Sequence, residues 1–260
     1  MLKSEFILCE IENEVAVVTI NRPPMNPLNT QVLTELAQIM GELEANSGVG
    51  AIILTGQGEK AFVAGADIHQ MLELDHIGMM EMNNVSRSTF SKIENLSKPV
   101  IAAINGLALG GGCELTLACD LRISTEKARF AFPEMSLGII PGAGGTQRLQ
   151  RLVGQTVAKE LLYFGEMINA QRALEIHLIN KVVPAEELLP TAKDWAQKLV
   201  QKPAVALRMM KTAVNAGASV DLETALTIES ACFGNAFATH DRREGMQAFV
   251  EKRKPVFSGR

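Results

Sequence analysis

Cysteine is sparse: the 260 residues hold four, Cys9, Cys113, Cys119 and Cys232, and no CxxC pair. A disulfide-stapled secreted scaffold is excluded, and reduced thiols in a cytosolic-type compartment are expected. Histidine is equally scarce, with four residues. Only His69 and His76 are close in sequence, without the i, i+4 spacing of a helical zinc site, so no metal centre is expected. Neither sign of charge dominates, with 25 basic against 29 acidic residues and a net charge of −4. Attraction for a polyanion would have to come from a local patch, which disfavours wholesale nucleic-acid binding. No apolar run reaches the ~20 residues of a membrane span. The longest uncharged stretch, residues 99–113, is broken by Asn105, Gly106 and Gly110 to Gly112. The amino terminus turns acidic at Glu5 and its first arginine is Arg22, so neither a secretory signal nor an Arg-rich transit peptide is expected. The ending Ser258-Gly259-Arg260 differs from the peroxisomal Ser-Lys-Leu. A P-loop and a Gly-x-Ser-x-Gly elbow are both missing. A cytoplasmic globular protein is the expectation.

What is present supports a sizeable core, since 47% of residues are hydrophobic and 21% charged. Residues 6–20 alternate apolar and polar around Glu12-Asn13-Glu14, predicting a β-hairpin closed by Arg22-Pro23-Pro24. Asn29 is the predicted N-cap of a helix whose apolar face is Val32, Leu33, Leu36, Ile39, Met40 and Leu43. Residues 49–55 and 99–104 are short apolar runs suited to buried strands, and a further strand is predicted at 121–124. This rhythm of strand, turn and helix predicts an α/β core. Helices are predicted over 146–153, 156–164 and 170–175, then a strand at 181–183, then helices over 186–200, 204–215, 222–238 and 242–252. So many apolar-faced terminal helices must cover the core or pack against another subunit.

The stretch Gly56-Gln57-Gly58-Glu59-Lys60-Ala61 fits a loose dinucleotide fingerprint, but the following residues 62–67 read as a small-residue loop where that motif needs a helix. A more informative stretch is Asn105-Gly106-Leu107-Ala108-Leu109-Gly110-Gly111-Gly112-Cys113-Glu114. Consecutive glycines after a buried strand let the backbone approach a ligand, and the helix beginning there points free N–H groups at it. Glu114 falls one turn from that putative donor, where it can act chemically or simply complement the helix dipole. Glu134 lies between Phe132-Pro133 and Met135, either a surface turn residue or an acid whose proton is held by apolar surroundings. Ala64-Gly65-Ala66-Asp67-Ile68 is a second small-residue loop able to supply another amide. Lys60 can meet a phosphate or be a solvated surface residue, and Asp120 can be functional or orient its loop. The cluster Pro141-Gly142-Ala143-Gly144-Gly145-Thr146-Gln147 shapes a further loop.

Taken together, residues 60–68, 98–114, 132–134, 138–147 and 239–255 resemble, in order and along essentially the whole chain, the crotonase superfamily and within it the enoyl-CoA hydratases. The resemblance implies an α/β fold, a crotonase-like spiral of ββα units over residues 1–199, with residues 200–260 a C-terminal helical trimerisation region, commonly giving a dimer of trimers (a hexamer). It implies that Ala66 and Gly111 donate the amides of an oxyanion hole, that Glu114 and Glu134 act on water at the double bond, and that Lys60, Ala64, Ala66, Asp67, Ile68 and Gly111 contact substrate. The substrate would be an acyl-CoA thioester, with coenzyme A part of it and no separate cofactor. The implied activity is that of a carbon–oxygen lyase of the fatty-acid β-oxidation type, with a double-bond isomerase or another acyl-CoA lyase of the same fold as the alternatives. An RNA-binding homologue would need a basic helix, yet residues 31–46 hold no Lys or Arg and carry Glu35, Glu42 and Glu44. Two departures stand out. His69 occupies a position where many hydratases carry a lysine near the CoA phosphates, which weakens that contact. The loop of residues 22–29 is one residue shorter than the common form. Acyl chain length is left to the Met-rich residues 69–95.

Overall fold

The computed structural model describes residues 4–259. Strands β1 (Ile7–Glu12) and β2 (Val15–Ile20) form the predicted hairpin, and α1 (Thr30–Ala45) follows. The Asn29 side chain accepts a hydrogen bond from Val32 N, and all six residues of the predicted apolar face of α1 are buried. Three turns of a spiral come next. Each contributes two strands: β3 (Ala51–Gly56) with β4 (Ala61–Ala64), β5 (Val100–Ile104) with β6 (Leu107–Leu109), and β7 (Leu121–Thr125) with β8 (Arg129–Ala131). The first strand of each pair joins a large sheet and the second a smaller one. Helices α2 (Ile68–Leu72) and α3 (His76–Glu94) separate the first two turns, and α4 (Gly111–Leu117) the second and third.

After the third turn come a short 3-10 helix (Pro133–Leu137), α5 (Gly145–Val153), α6 (Gln155–Phe164), β9 (Ile168–Asn169), α7 (Ala170–Glu175) and β10 (Lys181–Val183). The large sheet has the order β1-β2-β3-β5-β7-β10 and the small one β4-β6-β8-β9. Only the β1–β2 and β8–β9 pairs are antiparallel; the other pairings are parallel. Helix α8 (Leu188–Val200) buries Leu188, Ala192 and Ala196 against the large sheet.

The small sheet corrects the sequence reading. Strand β4 covers the first part of residues 62–67, which read as a small-residue loop, and β6, β8 and β9 have no counterpart in the sequence reading. These strands have only two to four residues, too few to carry a readable alternation. The fingerprint-like segment at residues 56–61 therefore leads into a strand.

Asn26 ties the first turn together. Completely buried with φ 50°, it accepts from Arg22 N at 3.0 Å through Oδ1, while Nδ2 donates to Ala61 O at 2.9 Å and Gln57 O at 3.0 Å. The 22–29 loop is thus fixed by one amide to β4 and to the residue just past β3.

The C-terminal helices α9 (Ala204–Gly217), α10 (Leu222–Phe237) and α11 (His240–Glu251) bury little. Helix α9 returns to the core through polar contacts. Lys211 Nζ donates to Asp120 Oδ2 at 2.8 Å, and Asn215 Nδ2 to Glu94 O at 3.1 Å. Asp120 Oδ2 also accepts from Val100 N at 2.7 Å, so Asp120 orients its loop and does not line the cavity described below. Apolar side chains such as Phe233, Phe249 and Val250 remain exposed. No helix among the described residues is long and apolar enough to cross a membrane.

Replacing Asn26 with Ala removes a left-handed-tolerant residue and strands buried carbonyls, so it is expected to destabilise the fold by about 2–4 kcal/mol. Denaturant unfolding of Asn26→Ala against the wild type measures this.

Candidate active site

The small sheet, α3 and the 3-10 helix enclose a cavity of about 910 Å³ lined by Ala66, Gly111, Glu114 and Glu134 among others. Strand β6 ends at Leu109, and Gly110, with φ of 47° and ψ of −118°, turns the chain into α4. A side chain there would be strained, and its Cβ would stand 2.6 Å from Glu134 Oε1. Helix α4 then runs against β4 so closely that a Cβ on Gly112 would meet Val63 O at 1.9 Å.

This approach brings two amide-bearing segments together. Leu28 N donates to Gly65 O and Asp67 N to Leu28 O, so the bridge between the two segments leaves the Ala66 N–H out of its pairing. The Gly111 N–H belongs to the unpaired first turn of α4. Neither amide donates to a protein acceptor among the described residues. A Cβ built on Gly111 would lie 3.7 Å from Ala66 N, which fixes how near the segments are. Two such donors suit an oxygen that gains negative charge.

The carboxylates occupy different environments. Glu114 is 3% exposed, and its Oε1 accepts from Gly145 N at 2.7 Å and Ala143 N at 2.9 Å. Burial holds its pKa above the ordinary carboxylate value, while the Gly145 and Ala143 amides pull it back toward the ionised form. Glu134, 8% exposed in the first turn of the 3-10 helix, has a buried Oε2 with no hydrogen-bond partner among the described residues. Burial, with the nearby Glu114 charge acting the same way, pushes its pKa up to about 7. One acid therefore resists losing its proton beside another held by amides, the division that acid–base work requires.

Other candidate residues divide. Ala64 and Ile68 line the cavity. Asp67 does not: it caps α2 by accepting from His69 N at 3.0 Å, and pairs with Arg22 Nη1 at 2.6 Å. Burial works to raise the Asp67 pKa, but the Arg22 bond and the α2 amides hold it below the ordinary range. Asp67 thus stiffens the loop carrying Ala66. Lys60 and His69 are exposed and lie outside the cavity lining. Two features escaped the sequence reading. The 141–147 cluster, read as loop shape, supplies the amides on Glu114. Met82, Ser86 and Phe90, spaced four apart on α3, form a cavity wall, and that helical spacing was available in the sequence.

Paired amides and paired acids around one cavity, set on a spiral of two-strand turns, are the arrangement of a crotonase-fold enzyme acting on acyl thioesters. Residues 10–260 match the family described as enoyl-CoA hydratase/isomerase, and the chain belongs to that family. It is 51% identical to the short-chain-enoyl-CoA hydratase of Clostridium acetobutylicum, over 95% of each chain. It is 48% identical to the crotonyl-CoA hydratase of Syntrophomonas wolfei, over 97% of this chain and 98% of the relative. Among solved structures, an enoyl-CoA hydratase from Bacillus anthracis superposes with a TM-score of 0.95 at 42% identity, covering 98% of this chain and 100% of that one.

The raised Glu134 pKa has a sign. Its folded value of about 7 lies above the ordinary 4.5, so the stabilisation from keeping its proton is full at acid pH and is lost as pH rises through 7. In the unliganded protein, Glu134→Gln is expected to melt above the wild type at pH 8 and level with it at pH 4. Thermal unfolding at both values checks this.

Proposed function

We propose that this protein catalyses the reversible hydration of 2-trans-enoyl-CoA to 3-hydroxyacyl-CoA. The observation that carries this reading is the pair of buried carboxylates sharing a cavity with two unpaired amides. The thioester oxygen sits between Ala66 N–H and Gly111 N–H. Glu114 takes a proton from water as its oxygen bonds to C3, and Glu134 gives its proton to C2. The negative charge that builds on the thioester oxygen meets fixed donors, and losing one costs on the order of 3 kcal/mol. After this step Glu114 holds the proton and Glu134 is ionised, which is the state required for dehydration, so the roles reverse with direction.

Coenzyme A enters as part of the substrate, and the chemistry needs no separate cofactor or metal. Ala64 and Ile68 flank the pantetheine path, Asp67 supports it from behind, and Lys60 is assigned to the phosphates. His69, in place of a second ammonium, makes that end of the site less cationic. The exposed apolar side chains of residues 200–260 suit burial between subunits in a homotrimer or a dimer of trimers, with residues 1–199 carrying the chemistry. A cytoplasmic enzyme of fatty-acid breakdown fits this reading.

Loss of the ultraviolet absorbance of the conjugated thioester of crotonyl-CoA tests the reaction. Conversion of a 3-enoyl to a 2-enoyl thioester without that loss would replace hydration with isomerisation. Glu114→Gln and Glu134→Gln are each expected to lower kcat at least about a hundredfold while acyl-CoA still binds. Near-normal turnover in either purified variant would overturn its assignment. For hydration, kcat/KM should also fall at high pH as Glu134 loses its proton and at low pH as Glu114 gains one; a rate independent of pH counts against the pair.

A further inference from the structure

We propose that Arg148 is a positioning residue for Glu114, clamping the loop whose amides hold the Glu114 carboxylate. This inference rests on the hydration reading above.

The clamp is built from both ends. Arg148 Nη1 donates to Ala143 O at 2.9 Å, in the same loop whose Ala143 and Gly145 amides bind Glu114 Oε1. Its other edge reaches α3, where Nη2 and Nε donate to Glu94 Oε2 at 2.7 and 3.2 Å. Gly144 has φ 115°, and a Cβ there would stand 2.1 Å from Arg148 Nη1. The guanidinium therefore fills the space that a side chain at 144 would take, and the glycine and the arginine form one unit. The planar fork suits two acceptors in fixed directions, which a lysine cannot reproduce.

Two consequences follow for Glu114. Its two amides remain aimed at Oε1 only while the 143–145 loop holds its shape, and a displacement near 1 Å at a reacting group costs on the order of a hundredfold in rate. Arg148 is also the cation whose charge favours ionised Glu114 against its burial. The other titratable groups facing Glu114 are Glu134 from the 3-10 helix and Cys113 from its own helix. Burial drives the Cys113 thiol far up, so it stays neutral. Behind Arg148 stands Glu94, 34% exposed. Helix α3 carries both Glu94 and the Met82, Ser86 and Phe90 wall, so the clamp links the wall of the acyl cavity to the base.

The experiment compares wild type with Arg148→Met, Arg148→Lys and Glu94→Gln in hydration of crotonyl-CoA across pH. Arg148→Met is expected to lower kcat roughly ten- to a hundredfold, with KM within about threefold. Its acid limb should move to higher pH, because Glu114 then gains a proton more readily. Arg148→Lys keeps the charge and should restore the acid limb with only part of kcat. Glu94→Gln loosens the guanidinium but removes a negative charge, so it should lower kcat like Arg148→Met but more weakly while its acid limb moves to lower pH, and it decides the matter if Arg148→Met does not fold. Difference infrared spectra against Glu114→Gln in each background follow ionisation of Glu114 without any turnover. This readout stands even if the wild type does not hydrate crotonyl-CoA, a result that would sink the hydration reading alone. Folded variants with an unchanged acid limb and an unchanged Glu114 titration would overturn the positioning role, as would a fall in kcat that merely tracks melting temperature.

Discussion

The close approach of α4 to β4 is the constraint from which the rest of the site follows. A helix can lie on a strand at this distance only where no side chain intervenes, and Gly112 faces the Val63 carbonyl directly. The contact is backbone to backbone, so it sets positions more firmly than packed side chains would. It brings the start of α4 beside the Ala66 loop, so that two amides without a protein acceptor among the described residues lie close together. Arg22 and Asp67 then brace that loop from behind, through an ion pair and an N-cap.

Within this frame the two glutamates differ because their surroundings differ. Glu114 is given amide donors, which reward negative charge. Glu134 is buried with one oxygen unpartnered, which penalises it. A single cavity thus holds one carboxyl whose amides favour ionisation and one whose burial favours its proton, and among the described residues no group of three or more His, Cys, Asp or Glu is arranged to bind an ion. An unpartnered buried carboxyl oxygen costs stability, and keeping it protonated is the least expensive way to hold it there.

Much of this was legible in the sequence, for identifiable reasons. Helix α1 announced itself through Asn29 and six periodic apolar residues, and the terminal helices through their caps and apolar stripes. The Gly110 to Gly112 turn and Glu114 were legible because glycine runs after a buried strand have few other uses. The small sheet was hidden because Ala61–Ala64 and Leu107–Leu109 are too short to show a period. The role of Asn26 was hidden for a different reason: its partners Gln57 and Ala61 are more than thirty residues away, and nothing local marks an asparagine as buried. The partners of Glu114 were hidden in the same way, because its amides come from a loop some thirty residues downstream. Side chains that act over long sequence separations become readable only once the spiral has brought its turns together.

The cavity has two unlike walls. One is main chain, from Ala66, Gly110 and Gly111, held by close contacts in which even a methyl group at Gly110 or Gly112 would collide with its neighbour. The other is side chain, from Met71, Met79, Met82, Phe90 and Ile140, in helices and loops whose outer surfaces are open to solvent. Substitution on the second wall changes the volume and shape offered to an acyl group, and methionine, being unbranched, absorbs such changes readily. In the reaction proposed above, substitution on the first would disturb the geometry of bond making itself. Descendants of this chain can therefore drift in what they accept far more freely than in what they do to it.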